Sequence, residues 1–403
     1  MEIIDLSNNP ISGHGGGLII KPTTDVYHVT SLDDSGPGTL RDGVLNATSN
    51  GRAIVFDVGG YVDLESRILI NKPYIYILGD TAPEPGITIR KNPALENITV
   101  LLEIEGSDTV HDILIRHVRL RYGDGPSGAS SPWMIAGGYN IVMDHLSCSW
   151  GKANMGHIYL DDPTTREIYN VTIQHCLFAE SFYDHPTGFN AQNRRGGPWD
   201  GIHHISFHHN VFVMTGYRNP LFTAKAEIIN NIVYNWRARV GGCTRNAQVD
   251  FINNLLREGP NTDIQAVPGT SMFRYQIHLD DGPNTAEIYS DGNYMDGHTL
   301  QQAEDDDFWF AETYDLGVSQ STESLPEQYK RAGRLYPTSD VAIEAATDLM
   351  NTLLGDVGAT LPSSDSVDAR QINDVVNRTA ILDNTTDLDE MADVGGWPAV
   401  QDL

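Results

Sequence analysis

The 403-residue chain lacks any apolar run approaching the ~20 residues that span a bilayer, which argues against a membrane protein. Cysteine is scarce. Cys148, Cys176 and Cys243 are odd in number and widely spaced, and so fit neither a disulfide framework nor a zinc site. Buried structural thiols are expected instead. Positive charge is scarce as well: 26 Lys and Arg, six of them Lys, stand against 54 Asp and Glu, and the net charge of −28 excludes a general nucleic-acid binder. The opening MEIIDLSNNPISGHGGG has no basic stretch leading into an apolar one. A secretory leader is therefore expected to have been trimmed or never to have existed.

The charge that is present is unevenly spread. Residues 301–403 carry 21 acids and 5 cations, and their acids are expected to form a solvated face. Residues 190–245 reverse the balance, with seven cations (Arg194, Arg195, Arg218, Lys225, Arg237, Arg239 and Arg245) against two acids. Salt screens surface charge beyond about 8 Å, so local sign outweighs net charge, and a basic groove on an acidic body suits an anionic ligand.

Internal repetition is the strongest organisational signal. DILIRHVRL, NIVMDHLSC, NVTIQHCLF, HISFHHNVF, AEIINNIVY and QVDFINNLL are short apolar runs that carry a polar pair at one place. Aligned, they stack His117, His145, His175, His209, Asn230 and Asn253, at spacings of 28, 30, 34, 21 and 23 residues. The two shortest spacings match one bare turn of a parallel β-helix, and the longer ones match turns with loop insertions. Insertions on one side would build a groove. The pairs Asn230-Asn231 and Asn253-Asn254 are expected to form side-chain ladders along the stack. The spacing predicts an all-β, single-stranded, right-handed parallel β-helix over residues 1–300. Residues 301–403 are expected to be a helical and loop cover belonging to the same domain. Within it, TSDVAIEAATDLMNTLL offers Ser339 or Asp340 as an N-cap, with Val341, Ala345, Leu349 and Leu353 on one helical face, and SVDARQINDVVNRTAI repeats the style.

Motifs along nearly the whole chain carry a family resemblance: VYHVTSLDDSGPGTLRDGV, RAIVFDVGGYVDL, VMDHLSCSW, NVTIQHCLFAES, YRNPLF, NNIVYNW and NNLLREGPNT. Together they resemble the pectate lyase-like proteins of polysaccharide lyase family 1. The resemblance implies β-elimination from an acidic, polygalacturonate-like polysaccharide by a secreted enzyme, here expected to be a monomer that engages neither nucleic acid nor membrane. It implies that Arg218, in YRNP, is the base, that Lys225 assists it, and that Asp144-His145 matches the family's DH pair. Lys152, Arg194, Arg195, Asn219 and Trp236 join Asp144 and His145 as candidate substrate contacts.

The resemblance also implies calcium, but its acidic ligand pair is replaced by Ala153 and Asn154. Asp161, Asp162, Glu180 and Asp184 are the acids left nearby, since calcium wants several oxygen ligands. A calcium-free mechanism using Lys152 or Arg194-Arg195 is the alternative. Thr223 stands where the family often has a second arginine. Two other readings stay open: a polysaccharide-binding β-helix without catalysis, such as a virion or surface adhesin, and a glycoside hydrolase on the same fold, which would need two carboxylates roughly 5–10 Å apart.

Overall fold

A computed structural model of the chain describes residues 10–15, 25–95, 98–125, 131–161, 166–182, 187–193, 201–237, 240–262, 275–278, 285–296, 309–315, 318–321, 327–336, 339–381 and 388–403. Among them the chain winds through three sheets in rotation, so that each strand pairs with the strand one coil before and one coil after. Sheet A holds ten strands from Val26–Val29 to Glu287–Asp291, and sheet B nine from Gly60–Leu64 to Tyr294–Asp296. Sheet C holds ten from Ile68–Ile70 to Val318–Ser321. Every pairing is parallel except that of Trp309–Asp315 with Val318–Ser321. This is the expected parallel β-helix, and its last strands lie beyond residue 300.

The repeats explain how the coil turns. From the third coil on, the link from sheet A to sheet B is only two residues long, and its first residue has a left-handed backbone: His117 (φ 50), His145 (φ 51), His175 (φ 50), His209 (φ 53), Asn230 (φ 53), Asn253 (φ 50) and Gly292 (φ 68). That region is costly for bulky or β-branched residues and tolerated by Gly, Asn and His. The polar pair aligned in the sequence therefore marks the bend. Four of the histidines stack ring on ring, with centroids 4.5, 4.8 and 5.2 Å apart. One residue on, Asn210, Asn231, Asn254 and Asn293 form the predicted ladder, each amide nitrogen donating to the next Oδ1 at 3.0, 2.9 and 3.1 Å. The ladder also satisfies backbone N–H groups that the turn takes out of the sheets, such as that of Cys176 on Asn210 Oδ1 at 2.9 Å.

Inside the coil, alternating Ile, Val, Leu and Phe side chains from all three sheets form one apolar core, with Phe178, Phe207 and Phe212 stacked within it. All three cysteines are buried and unpaired by disulfides, as expected. The outer faces of sheets A and B are covered by the chain's own ends. Ser12, His14 and Gly15 hydrogen-bond Gln174, Ser206 and Thr172 of sheet A. Leu335 and Tyr336 donate their backbone N–H groups to Asp250 of the same sheet. The helix Ser366–Asn377 lies on sheet B, where Leu349, Leu353, Val367 and Val375 pack against Leu177, Val211, Val213, Ile232 and Leu255. Among the described residues, no terminal segment covers sheet C in the same way.

Two expectations for the C-terminal segment need correction. The 339–355 stretch is not one helix: only Ala346–Asp348 and Leu349–Thr352 are helical. Asn230 at the bend grips the backbone of Glu344 from both sides, N–H to Oδ1 at 2.9 Å and Nδ2 to the carbonyl at 2.8 Å, which holds that residue extended. Nor are the acids all solvated. Asp365 caps the helix Ser366–Asn377 by accepting from the N–H groups of Val367 and Asp368, and both carboxylates lie buried against Arg121 of sheet B.

Candidate active site

The candidate face is the outer side of sheet C, which no described terminal segment covers. On sheet C the strands Asn154–Leu160, Thr187–Asn193 and Leu221–Phe222 are neighbours, with His157 paired to Asn190 and Asn190 to Leu221. Ile158, Leu160, Phe189, Ala191 and Phe222 point into the core. Strand alternation therefore turns His157, Tyr159, Asn190, Gln192 and Leu221 outward.

Arg218 sits where the chain enters this sheet. Its carbonyl accepts from Phe189 N–H at 2.8 Å, its backbone is left-handed at φ 61, and its guanidinium carbon stands 5.3 Å from the Tyr217 ring centroid. Asn219 beside it is buried: its Oδ1 accepts from Thr215 Oγ1 at 2.7 Å and its N–H bonds the Val240 carbonyl at 2.7 Å. A side chain so enclosed holds the loop that presents Arg218. The charge of Arg218 reaches His157, whose imidazole is held down to about 3 by burial and then by that guanidinium.

The other expected site residues distribute as follows. Lys152, half-buried, lies in the link that leads from sheet B into the strand Asn154–Leu160 and so stands at the edge of the candidate face. Lys225 opens the sheet A strand Lys225–Ile229, and its charge acts on His204 of that sheet. Arg237 comes closer, since its N–H bonds the carbonyl of Gly216, two residues before Arg218, at 3.2 Å. Trp236 is 1% exposed within the core and so carries packing instead of sugar stacking. Arg194 and Arg195 lie outside the described residues, as do Asp162, Asp184 and Arg239.

Asp144 and His145 are also displaced from the groove. They end a sheet A strand, buried, with His145 Nδ1 2.7 Å from Asp144 Oδ1 and Nε2 3.3 Å from Asp356 of the C-terminal cover. The pair is a structural clasp: hydrogen bonds from His145 and Gln174 hold Asp144 down to about 2 against the opposing effect of burial. Asp144 and Asp356 in turn push His145 up to about 9, again against burial. The signs set a window. The contribution of Asp144 is present above the ordinary carboxylate value and is lost as pH falls through about 2, while that of His145 is present below its ordinary 6.5 and is lost as pH rises through about 9. We expect His145→Asn, which suits the left-handed bend, to flatten the fall in melting temperature between pH 7 and pH 9.5. An unchanged slope would remove His145 as its source.

A calcium ion does not fit the outward residues beside Arg218. His157, Tyr159, Asn190, Gln192 and Leu221 include no carboxylate, and calcium is held by several oxygen ligands, acids foremost. Asn154, in the place of an expected ligand, accepts from Thr187 Oγ1 at 2.6 Å. Glu180 is committed elsewhere: buried under the cover, it receives Trp150 Nε1, Gln371 Nε2 and Arg370 Nη2, each at 2.9 Å. His157 was missed as a site residue in the sequence. Its signal was the alternation of His157 and Tyr159 with Ile158 and Leu160, a half-buried strand with its polar side turned outward.

No family model matches the chain. A protein from Aspergillus flavus named probable pectate lyase C is 33% identical over 258 residues, 63% of this chain and 55% of that one. The chain thus spans about half the length of the curated relatives it matches. Among solved structures, the major allergen from cedar pollen superposes with a TM-score of 0.59 at 14% identity, over 86% of this chain and 92% of that one. A pectate lyase from Bacillus sp. N165, solved in complex with trigalacturonate, superposes at 0.51 and 13% identity, over 86% and 98%. The identities to these structures bear on fold alone, whereas the sequence match ties this chain to named proteins. The chain is similar in sequence to the fungal proteins named probable pectate lyase C, and it shares the parallel β-helix fold of the solved pectate lyases.

Proposed function

We propose that the protein is a polysaccharide lyase that cleaves an acidic polyuronate, pectate or low-ester pectin by default, by β-elimination on the outer face of sheet C. The observation that carries this reading is Arg218, a guanidinium at the entry to sheet C, which no described terminal segment covers, flanked by neutral outward side chains. A uronate carboxylate meets attraction there and no nearby carboxylate among those outward residues.

In the elimination, the C5–H bond breaks and its proton passes to the base. The electron pair forms the C4–C5 double bond, and the C4–O bond breaks to release the shortened chain, whose oxygen takes a proton from solvent. Arg218 is assigned as the base. Arginine is protonated in water, with a pKa above 12. Desolvation by bound polymer and a neighbouring cation favour its neutral form, and Arg237 on the next coil is the described cation best placed to help. A polymeric substrate agrees with an extracellular enzyme, and a monomer is the proposed state.

Incubation of the protein with polygalacturonate, with and without a calcium chelator, tests the reading. The ultraviolet absorbance of an unsaturated uronate end is expected to rise in both. New reducing ends without that absorbance would make the protein a hydrolase, and neither signal on any polyuronate would remove the enzyme reading.

A further inference from the structure

We propose that His157 and Asn190, neighbours across sheet C beside Arg218, form a neutral hydrogen-bonding pair that holds the substrate's uronate ring without a metal ion; this rests on the polyuronate reading above. The two residues are in register on adjacent parallel strands, and Asn190 is in register with Leu221, three residues after Arg218. Both point away from the core, because Ile158, Phe189 and Ala191 on the same strands point into it.

Their polar atoms are only partly used. Asn190 Nδ2 lies 3.5 Å from His157 Nε2, a long contact that leaves most of the bonding capacity of both groups unused. Asn190 Oδ1 is buried and has no hydrogen-bond partner among the described residues. A buried acceptor left unpaired is costly, and proteins seldom keep one without a use. A sugar hydroxyl is the partner of matching chemistry: it donates to Oδ1, and another ring oxygen accepts from the imidazole N–H.

Charge supports the same assignment. Burial and Arg218 keep the imidazole neutral down to about 3, so His157 remains a hydrogen-bonding group across the working pH range and does not change charge. One fixed cation with neutral donors and acceptors around it matches a ring that bears one carboxylate and several hydroxyls. Tyr159, its ring centroid 5.3 Å from that of His157, and Leu221 supply the apolar edge that a sugar face requires. An imidazole and a carboxamide are a poor set for calcium, which leaves Arg218 to neutralise the carboxylate.

Calorimetric titration of trigalacturonate in EDTA tests the pair apart from turnover. Wild-type protein is expected to bind, with added calcium changing Kd less than about twofold. His157→Ala and Asn190→Ala are each expected to weaken binding about tenfold or more, the scale of one lost polar contact, with melting temperatures held and part of the loss recovered by His157→Gln. If Asn190→Ala lowers the melting temperature, the half-buried His157 decides alone. Binding that needs calcium, or that ignores both residues, overturns the pair and leaves the lyase reading standing. Calcium-free, pair-dependent binding with no unsaturated product would support the pair and overturn the lyase reading. No binding in either buffer overturns both.

Discussion

Arg218→Ala is expected to lower the rate of unsaturated uronate formation on polygalacturonate by about 10³-fold or more, within the range that a positioned base contributes. Arg218→Lys is expected to lose nearly as much. Lysine keeps the charge but places one ammonium where a planar fork stood, so it can hold a carboxylate while failing to reach the C5 proton. The two substitutions should therefore separate in binding. Trigalacturonate affinity is expected to fall for Ala and to stay within about tenfold of wild type for Lys, with kcat carrying the loss. The loop should survive either change, because Asn219 and its bonds to Thr215 and Val240 hold it independently of the guanidinium. A Lys variant that retained more than a tenth of the wild-type kcat would show that another group takes the proton.

The second large effect concerns stability and lies on sheet B. Arg121 is fully buried and donates to Asp365 Oδ2 and Oδ1 at 2.5 and 2.9 Å and to Asp368 Oδ1 at 2.8 Å. Asp368 also accepts from Ser147 Oγ at 2.6 Å, while Arg119 reaches the carbonyls of Pro85 at 3.0 Å and Ala359 at 3.3 Å. Arg121, with Arg119, holds Asp365 down to about 2 although burial opposes it, whereas burial and the adjacent Asp365 push Asp368 up. The cluster joins the coil to its cover at the helix cap. Arg121→Ala would leave two buried carboxylates facing one another, and breaking such a pair costs about 3–5 kcal/mol. Chemical unfolding monitored by circular dichroism should show a loss of that size. A loss below about 1 kcal/mol, the scale of an exposed ion pair, would mean that the cover holds through its apolar contacts alone.

The coil was legible in the sequence because its constraints are local. A two-residue bend that needs a left-handed residue selects His, Asn or Gly at each turn, and an internal ladder selects Asn one position later. The first leaves a mark at every one of these bends, the second at the last four. The helix Ser366–Asn377 was legible for the same kind of reason, from its helical spacing. The 339–355 stretch misled because its periodicity was apolar but its backbone partner, Asn230, lies more than a hundred residues away. Arg119 and Arg121 sit in an ordinary strand, and nothing in RLRY announces that their partners come from Asp365 and Asp368.

For the candidate site the division is similar. YRNP singled out Arg218, and the missing acidic pair was visible as Ala153 and Asn154. What the chain order could not say is which residues share a face. Asp144 and His145 resemble a site in sequence yet close beneath the cover on sheet A, and Lys225, seven residues from Arg218, stands on a different sheet. His157, 61 residues before Arg218, lies close enough to feel its charge. The sequence by itself determined the coil, its bends, its ladder and the arginine. Only the tertiary structure decided the neighbours of that arginine, because in a parallel coil residues next in the chain diverge onto separate sheets while residues a full turn apart stand side by side.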